Sequence, residues 1–268
     1  MTPSPRLPDF DHIYLSPHLD DAVLSCGGRI GQQTAAGQRV LVVTVCAGDP
    51  PAGSLSGFAQ LLHDRWGLPS AATQARRAED LEALAVLGAD ALHLALPDCI
   101  YRRAGSREGE PLYASEEALF GPLHPHDWWL SLDLSAQLAE FGRPKPEAGL
   151  YFPIGIGGHV DHQLTWRLAD DWAGAHPAVF FYEDYPYAHD LALAQQWVEG
   201  RGWQPLVAHL AEADFERKLQ AIRRYRSQIC TFWADEAAMA AALREHAASV
   251  AGSQGLAERV WYNLAPTG

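Results

Sequence analysis

Short apolar runs, several rich in β-branched residues, alternate along this chain with longer stretches whose apolar positions recur at helical spacing. Ile13-Tyr14-Leu15, Val40-Leu41-Val42-Val43-Thr44-Val45-Cys46, and residues 91–96, 149–154 and 178–182 have the length of strands covered on both faces. Between them, residues 24–36, 70–87, 127–141 and 163–173 read as helices, with Gly37 and Gly88 as stops after the first two. Further on, 192–200, 214–227 and 236–249 read as helices, and 205–210 and 259–264 as strands. Strand and helix in alternation predict an α/β fold, a Rossmann-like three-layer αβα sandwich around a mostly parallel sheet with right-handed crossovers. Two polar, Gly/Pro/Ser-punctuated stretches, 49–69 and 99–125, read as long loops at the same sheet edge, where long loops serve as lids or binding walls.

Composition narrows the classes. A hydrophobic content of 48% over 268 residues supplies a substantial core. The net charge of −13 argues against a nucleic-acid or anionic-membrane surface. No run approaches 18 uninterrupted apolar residues and Met1 to Pro8 is not a signal-peptide pattern, so the expectation is a cytoplasmic protein with no membrane span. Cys26, Cys46, Cys99 and Cys230 show no zinc-ribbon spacing and read as small buried hydrophobes. There is no Gly-x-Gly-x-x-Gly turn after the first strand, which disfavours a dinucleotide cofactor.

The candidate chemistry starts where that turn is missing. Ser16-Pro17-His18-Leu19-Asp20-Asp21 lies between the first strand and its helix, the edge of an open α/β sheet where ligands bind. His18 and Asp21 are spaced to reach one cation from the first turn, leaving Asp20 free beside it as a base for an activated water. Roughly 140 residues later, Gly155-Ile156-Gly157-Gly158-His159-Val160-Asp161-His162 repeats the context of apolar run, turn and amphipathic stretch. His18, Asp21 and one of these two histidines make three ligands, the number that leaves a catalytic zinc an open position. Glycines 155, 157 and 158 let the backbone approach a bound ligand.

Pro17-His18-Leu19-Asp20-Asp21 resembles the Pro-His-x-Asp-Asp signature, and His159-Val160-Asp161-His162 the His-x-Asp-His signature, of the LmbE-like or PIG-L family of zinc-dependent N-acetylglucosaminyl deacetylases. The resemblance runs from about Asp11 to about Gln228, and the chain reads as one such domain over 1–268, with 229–268 adding a C-terminal helix and strand. It implies that His18, Asp21 and His162 bind one zinc, with iron also compatible with such a donor set. It also implies that Asp20 is the general base, that His159 is the general acid or oxyanion stabiliser, and that Asp161 orients His159 and raises its pKa. The family's common Glu after the paired aspartates is Ala22 here.

Softer matches extend the site. Arg76-Arg77-Ala78-Glu79 resembles the family's Arg-x-x-Glu segment and makes Arg76 a substrate contact, while Leu96-Pro97-Asp98 resembles the strand end whose aspartate, Asp98 here, binds sugar hydroxyls. Asp49 is a third polar wall residue, and the Tyr-Glu-Asp-x-Pro-Tyr-Ala pattern at 182–188 brings Tyr187 to the sugar pocket. Lys218 with Tyr225-Arg226-Ser227-Gln228 resembles the family's closing segment. His124-Pro125-His126 is not taken as a second metal site, because Asp127 reads as the N-cap of the helix that follows. The locally basic 101–107 reads first as a solvated loop and second as a seat for an anionic substrate appendage. The expected substrate is a small N-acetylated sugar conjugate, the alternative being a non-sugar amide or ester cut on the same scaffold.

Overall fold

In the computed structural model, which describes residues 5–68, 72–105, 109–174 and 176–263, the sheet opens with β1 (His12–Ser16), followed by α1 (Asp21–Ala35) and β2 (Val40–Thr44). Two helices, α2 (Gly57–Arg65) and α3 (Ala72–Leu87), precede β3 (Asp90–His93). After the short α4 (Glu116–Leu119) and α5 (Leu130–Glu140) come β4 (Gly149–Pro153), α6 (Val160–Leu168) and β5 (Val179–Tyr182). The chain closes with α7 (Leu191–Val198), β6 (Trp203–Leu210), α8 (Glu212–Ile222), α9 (Arg226–Phe232), α10 (Glu236–Ala251) and β7 (Leu256–Asn263).

The strand order is β3-β2-β1-β4-β5-β7-β6; the first five are mutually parallel, and β7 pairs antiparallel with both β5 and β6. The strands alternate as pleating demands. Ile13, Leu15, Leu150 and Phe152 enter one core with α5 and α6, whereas Tyr14, Val40, Val42 and Tyr151 enter another with α1, α3, α8 and α10. Helices therefore cover both faces, as the alternation predicts. The α1 helix approaches closely: a Cβ on Gly28 would lie 2.5 Å from Leu210, and the Gly28 N–H donates to Glu258 at 2.9 Å. Because the chain fills β1 to β3 outward and then crosses back to β4, the order reverses between β1 and β4. Loops leaving their carboxyl ends diverge there, opening the crevice that ligands use in such sheets.

Several elements differ from the sequence reading, and each difference has a local cause. The stretch 49–69 contains α2, whose first turn is capped by Ser56 Oγ accepting from Ala59 N–H at 3.1 Å. The stretch 99–125 contains α4, capped by Ser115. The predicted helix 214–227 is two helices, broken at residues 223–225: Tyr225 donates its hydroxyl to Asp80 at 2.7 Å, and Ser227 bonds Glu79 through both N–H and Oγ. Asp127 caps no helix; its carboxylate is buried against Tyr113 and Arg102. The π-turn Ala169–Ala173 ends α6 early. Cys230 is exposed, unlike the other three cysteines. His93 is a satisfied structural histidine, as predicted, 2.7 Å from Asp80. Residues 1–4, 69–71, 106–108 and 264–268, which several expectations include, lie outside the described residues. No helix among the described residues is long and apolar enough to cross a membrane.

Candidate active site

The first motif is shaped by β1's last residue. Ser16 Oγ donates to His18 O at 2.7 Å and accepts from Ala22 N–H at 3.0 Å, closing the turn between strand and helix. Within that turn the His18 N–H donates to Asp21 Oδ2 at 2.8 Å. The second motif leaves β4 through Gly155, Gly157 and Gly158, all at positive φ (88°, 86° and 78°), which L side chains adopt only under strain. A Cβ on Gly157 would sit 2.8 Å from the Tyr187 ring. That turn delivers His159 and His162 opposite His18.

Three donors converge. His18 Nδ1 lies 3.2 Å, and His162 Nε2 3.3 Å, from Asp21 Oδ2. The far nitrogen of each imidazole is held by a buried carboxylate: His18 Nε2 is 3.0 Å from Asp161 Oδ2, and His162 Nδ1 is 2.7 Å from Asp184 Oδ1. Carboxylate, imidazole, then a facing donor is the arrangement by which metal-binding histidines are oriented and made more basic. Two nitrogens and one carboxylate oxygen suit zinc, with room for a further ligand. Ring nitrogens of His18, His159 and His162 also lie within 4.8 Å of one another, as do donors from Cys99, His159 and Asp161. In the second group the Asp161 carboxylate is already taken: it accepts from the Cys99 N–H at 3.0 Å and from Arg102 at 2.6 Å.

Charge follows from these contacts. Burial opposes ionisation of Asp21, but His162 and His18 outweigh it and hold its carboxyl well below the usual range. Burial likewise opposes the charged form of His162, yet Asp21 and Asp184 raise it to about 9. Asp20 differs. It stands at the N-cap of α1 without capping it, and its nearest cation is Arg76, whose NH2 is 3.8 Å away. Burial, then the neighbouring Asp21, push its carboxyl up to about 6 against the pull of Arg76 and His18. His159 is depressed well below the ordinary histidine value by burial and by His18.

Two assignments change as a result. The Asp161 carboxylate faces His18 and Arg102; what it offers His159 is its backbone N–H, donated to His159 Nδ1 at 3.2 Å. Asp161 thus orients His18, and His159 is held neutral instead of having its pKa raised, because burial and the neighbouring His18 prevail over the carboxylate's attraction. With Nδ1 accepting, the proton of neutral His159 sits on Nε2.

A cavity opens above the cluster, lined by His18, Asp20, Asp21, Arg76, Asp98, His159, Tyr187 and Gln228. Arg76 lies over the Trp66 ring, and its buried Nε has no hydrogen-bond partner among the described residues. Asp98 accepts from Ile100 N–H through Oδ1 while Oδ2 lies 3.8 Å from His18 Nε2 and 4.0 Å from Arg76. The Tyr187 ring stacks edge-on to His162 at 5.7 Å. Asp49 is not brought here: its exposed carboxylate pairs with Arg77 at 2.8 Å, outside the cavity lining. In the described part of the basic stretch Arg102 is buried, against the solvated reading, whereas Arg103 and Ala104 are half-buried and Gly105 is exposed; neither arginine lines the cavity, Arg103 donating to the Gly109 and Ser54 carbonyls. The outer wall is mostly apolar, with Phe58, Leu62 and Trp66 from and just after α2, Leu119 and Phe120 at α4, and Phe232 ending α9, and with Arg65 and Glu116 paired at 3.6 Å among them.

Sequence reasoning missed Asp184 and Arg102. Asp184 lies two residues past β5, accepting from the Gly155 and Ile156 N–H groups at 2.8 and 3.0 Å while it holds His162. Its signal was a carboxylate just past a predicted strand, the same placement that drew attention to His18. Arg102 had no such signal, since nothing local separates a buried arginine from a loop arginine.

The family described as PIG-L, GlcNAc-PI de-N-acetylase, matches residues 13–173. A 2'-N-acetylparomamine deacetylase of Niallia circulans is 27% identical over 243 residues, 84% of this chain and 83% of its own length. Among solved structures, the zinc-inhibited form of teicoplanin deacetylase Orf2 is similar at a TM-score of 0.78 and 32% identity, covering 93% of this chain and 96% of that one. The A40926 pseudoaglycone deacetylase Dbv21 is similar at 0.73 and 30%, covering 94% and 96%.

Proposed function

The chain belongs to the PIG-L family, and from that premise we propose that it is a zinc-dependent hydrolase removing the acetyl group from an N-acetylglucosamine-type moiety of a small conjugate. The observation that carries this reading is the convergence of His18, Asp21 and His162 with Asp20 left free beside them. One zinc per chain would be held by those three residues. Bound there, zinc would supply Lewis-acid polarisation of an acyl carbonyl and a lowered pKa for a bound water. Asp20 takes a proton from the attacking water as the water's oxygen bonds to the acyl carbonyl carbon. Neutral His159 donates its Nε2–H to the tetrahedral oxyanion, a buried donor placed before charge develops. Asp20, now protonated, passes its proton to the nitrogen as the C–N bond breaks, leaving acetate and an amine. Arg76 and Asp98 hold sugar hydroxyls, with Tyr187 as an aromatic wall.

The relatives bear on the substrate. Similar proteins are named as deacetylases of 2'-N-acetylparomamine, of teicoplanin and of the A40926 pseudoaglycone. The mostly apolar outer wall suits a non-sugar portion of a conjugate. The test is metal content per chain in protein purified without added metal, beside His162→Ala, followed by amine release from a panel of N-acetylated amino sugars, other amides and esters. About one zinc in the parent, little in the variant, and turnover confined to the amino sugars is the expected result. Equal metal in both refutes the ligand set, and preferred cleavage of a non-sugar amide or ester refutes the substrate class.

A further inference from the structure

Arg102 places a charge where hydrolysis does not ask for one. It does not line the cavity, and its side chain is buried. Its guanidinium contacts two carboxylates: one terminal nitrogen donates to Asp161 Oδ1 at 2.6 Å, and Nε makes an ion-pair contact with Asp127 Oδ2 at 2.9 Å without a directed hydrogen bond. The other terminal nitrogen donates to the Pro97 carbonyl at 3.3 Å, and Asp127 is itself held by the Tyr113 hydroxyl at 2.8 Å. The second oxygen of Asp161 faces His18 Nε2 at 3.0 Å. A continuous row therefore runs Tyr113, Asp127, Arg102, Asp161, His18.

We propose that Arg102 is a positioning residue for the metal ligand His18, acting through Asp161. Clamped at Oδ1 by Arg102, and at Oδ2 by the Cys99 N–H, the Asp161 carboxylate is held at both ends, so Oδ2 fixes the plane of the His18 ring and the direction of its Nδ1. A point-charge ammonium on a flexible stem cannot reach Asp161, Asp127 and the Pro97 carbonyl at once as the guanidinium does. A role confined to neutralising buried carboxylates would instead show in the stability of the protein and leave the ring, and hence metal affinity, untouched. This inference rests on the zinc reading above.

The experiment measures zinc affinity by competition with a chromophoric chelator, the visible spectrum of the Co2+-loaded protein, and the thermal midpoint of the metal-free protein, in the parent, Arg102→Lys, Asp161→Asn and the double variant. The expected result is zinc affinity reduced about 10- to 100-fold in each single variant, the range seen when groups supporting a metal ligand are changed. The Co2+ spectrum shifts in both, and the double variant is no worse than the weaker single, because the two side chains act on one bond. Affinity within twofold of the parent in Arg102→Lys, or losses that add in the double variant, overturns the inference while the parent's zinc binding leaves the metal reading standing. If Arg102→Lys does not fold, Asp127→Asn loosens the same contacts with the guanidinium retained; weaker zinc binding supports the inference, and unchanged binding overturns it. A parent that binds no zinc overturns both.

Discussion

Asp20 and Asp21 are adjacent carboxylates that the fold sends in opposite directions. Asp21 accepts the His18 N–H and faces two imidazoles, which keeps it ionised. Asp20, buried beside that anion with Arg76 at 3.8 Å, has its carboxyl raised to about 6. Divergent environments for paired acids are how one site holds a ligand and a base side by side. A bound zinc ion acts on Asp20 in the same sense as Arg76, downward, so the ascending limb of kcat/KM against pH is expected at or below about 6. Asp20→Asn is expected to keep the parent's zinc content and lose roughly 10²- to 10⁴-fold in turnover, the usual worth of a positioned base. Steady-state rates beside metal analysis check this; turnover within a few-fold of the parent sinks the base assignment. His18, Asp20 and Asp21 stood out as candidates because their spacing is local, whereas the choice of His162 over His159 came only from the family resemblance, the two motifs lying about 140 residues apart. The partners of those side chains were not legible: Asp161 turned out to serve His18, and Asp184 lies 22 residues beyond the histidine it holds.

The turn that carries His159 shows how one element's geometry becomes another's function. Gly157 combines a φ of 86° with a Tyr187 ring 2.8 Å from where a Cβ would be, so backbone strain and a clash coincide there. Gly157→Ala is expected to cost about 1–3 kcal/mol of stability from the strained backbone alone. Its larger effect falls on activity, since relief comes by shifting either Tyr187 or the backbone two residues from His159. Chemical denaturation and KM against kcat check it: a raised KM marks displacement of the Tyr187 wall, a lowered kcat displacement of His159, and neither change refutes the claim that this turn is built around the ring. The same turn explains what the pattern of apolar positions conveyed well. The continuous apolar runs at β1, β2, β4 and β5 are dictated by burial on both faces, and the glycines by local φ, so both are written in neighbouring residues. The α2 helix was hidden by flanking Gly, Pro and Ser, although Ser56 ahead of Phe58 and Leu62 was a readable cap. The break between α8 and α9 was not readable at all. No Gly or Pro marks it, and it exists because Tyr225 and Ser227 bind Asp80 and Glu79 on α3, some 145 residues away.

Across the whole molecule, the crevice between β1 and β4 joins the two halves of the site: His18 and Asp21 follow the first strand of the outward run, and His162 and Asp184 follow strands of the return run. A cation held there ties both runs together, so metal binding is linked to global stability. At zinc a thousandfold above its dissociation constant the linkage amounts to about 4 kcal/mol, or roughly 8–10 °C in thermal midpoint for a chain of this size. The pH dependence of that gain has a definite sign. His162 is raised to about 9 in the metal-free fold, above the value of about 6.5 it has when unfolded. Its protonation therefore stabilises the metal-free protein fully below about 6.5, and that contribution is lost as pH rises through about 9. Zinc must displace the same proton, so binding is weakest where the proton is held most firmly. Both effects act in one direction: the difference in midpoint between zinc-loaded and chelator-treated protein is expected to widen from pH 6.5 to pH 9. Thermal scans at fixed free zinc across that interval check it. In His162→Gln the difference should be small and flat, and a parent whose difference narrows with rising pH would show that His162 is not among the groups the metal deprotonates.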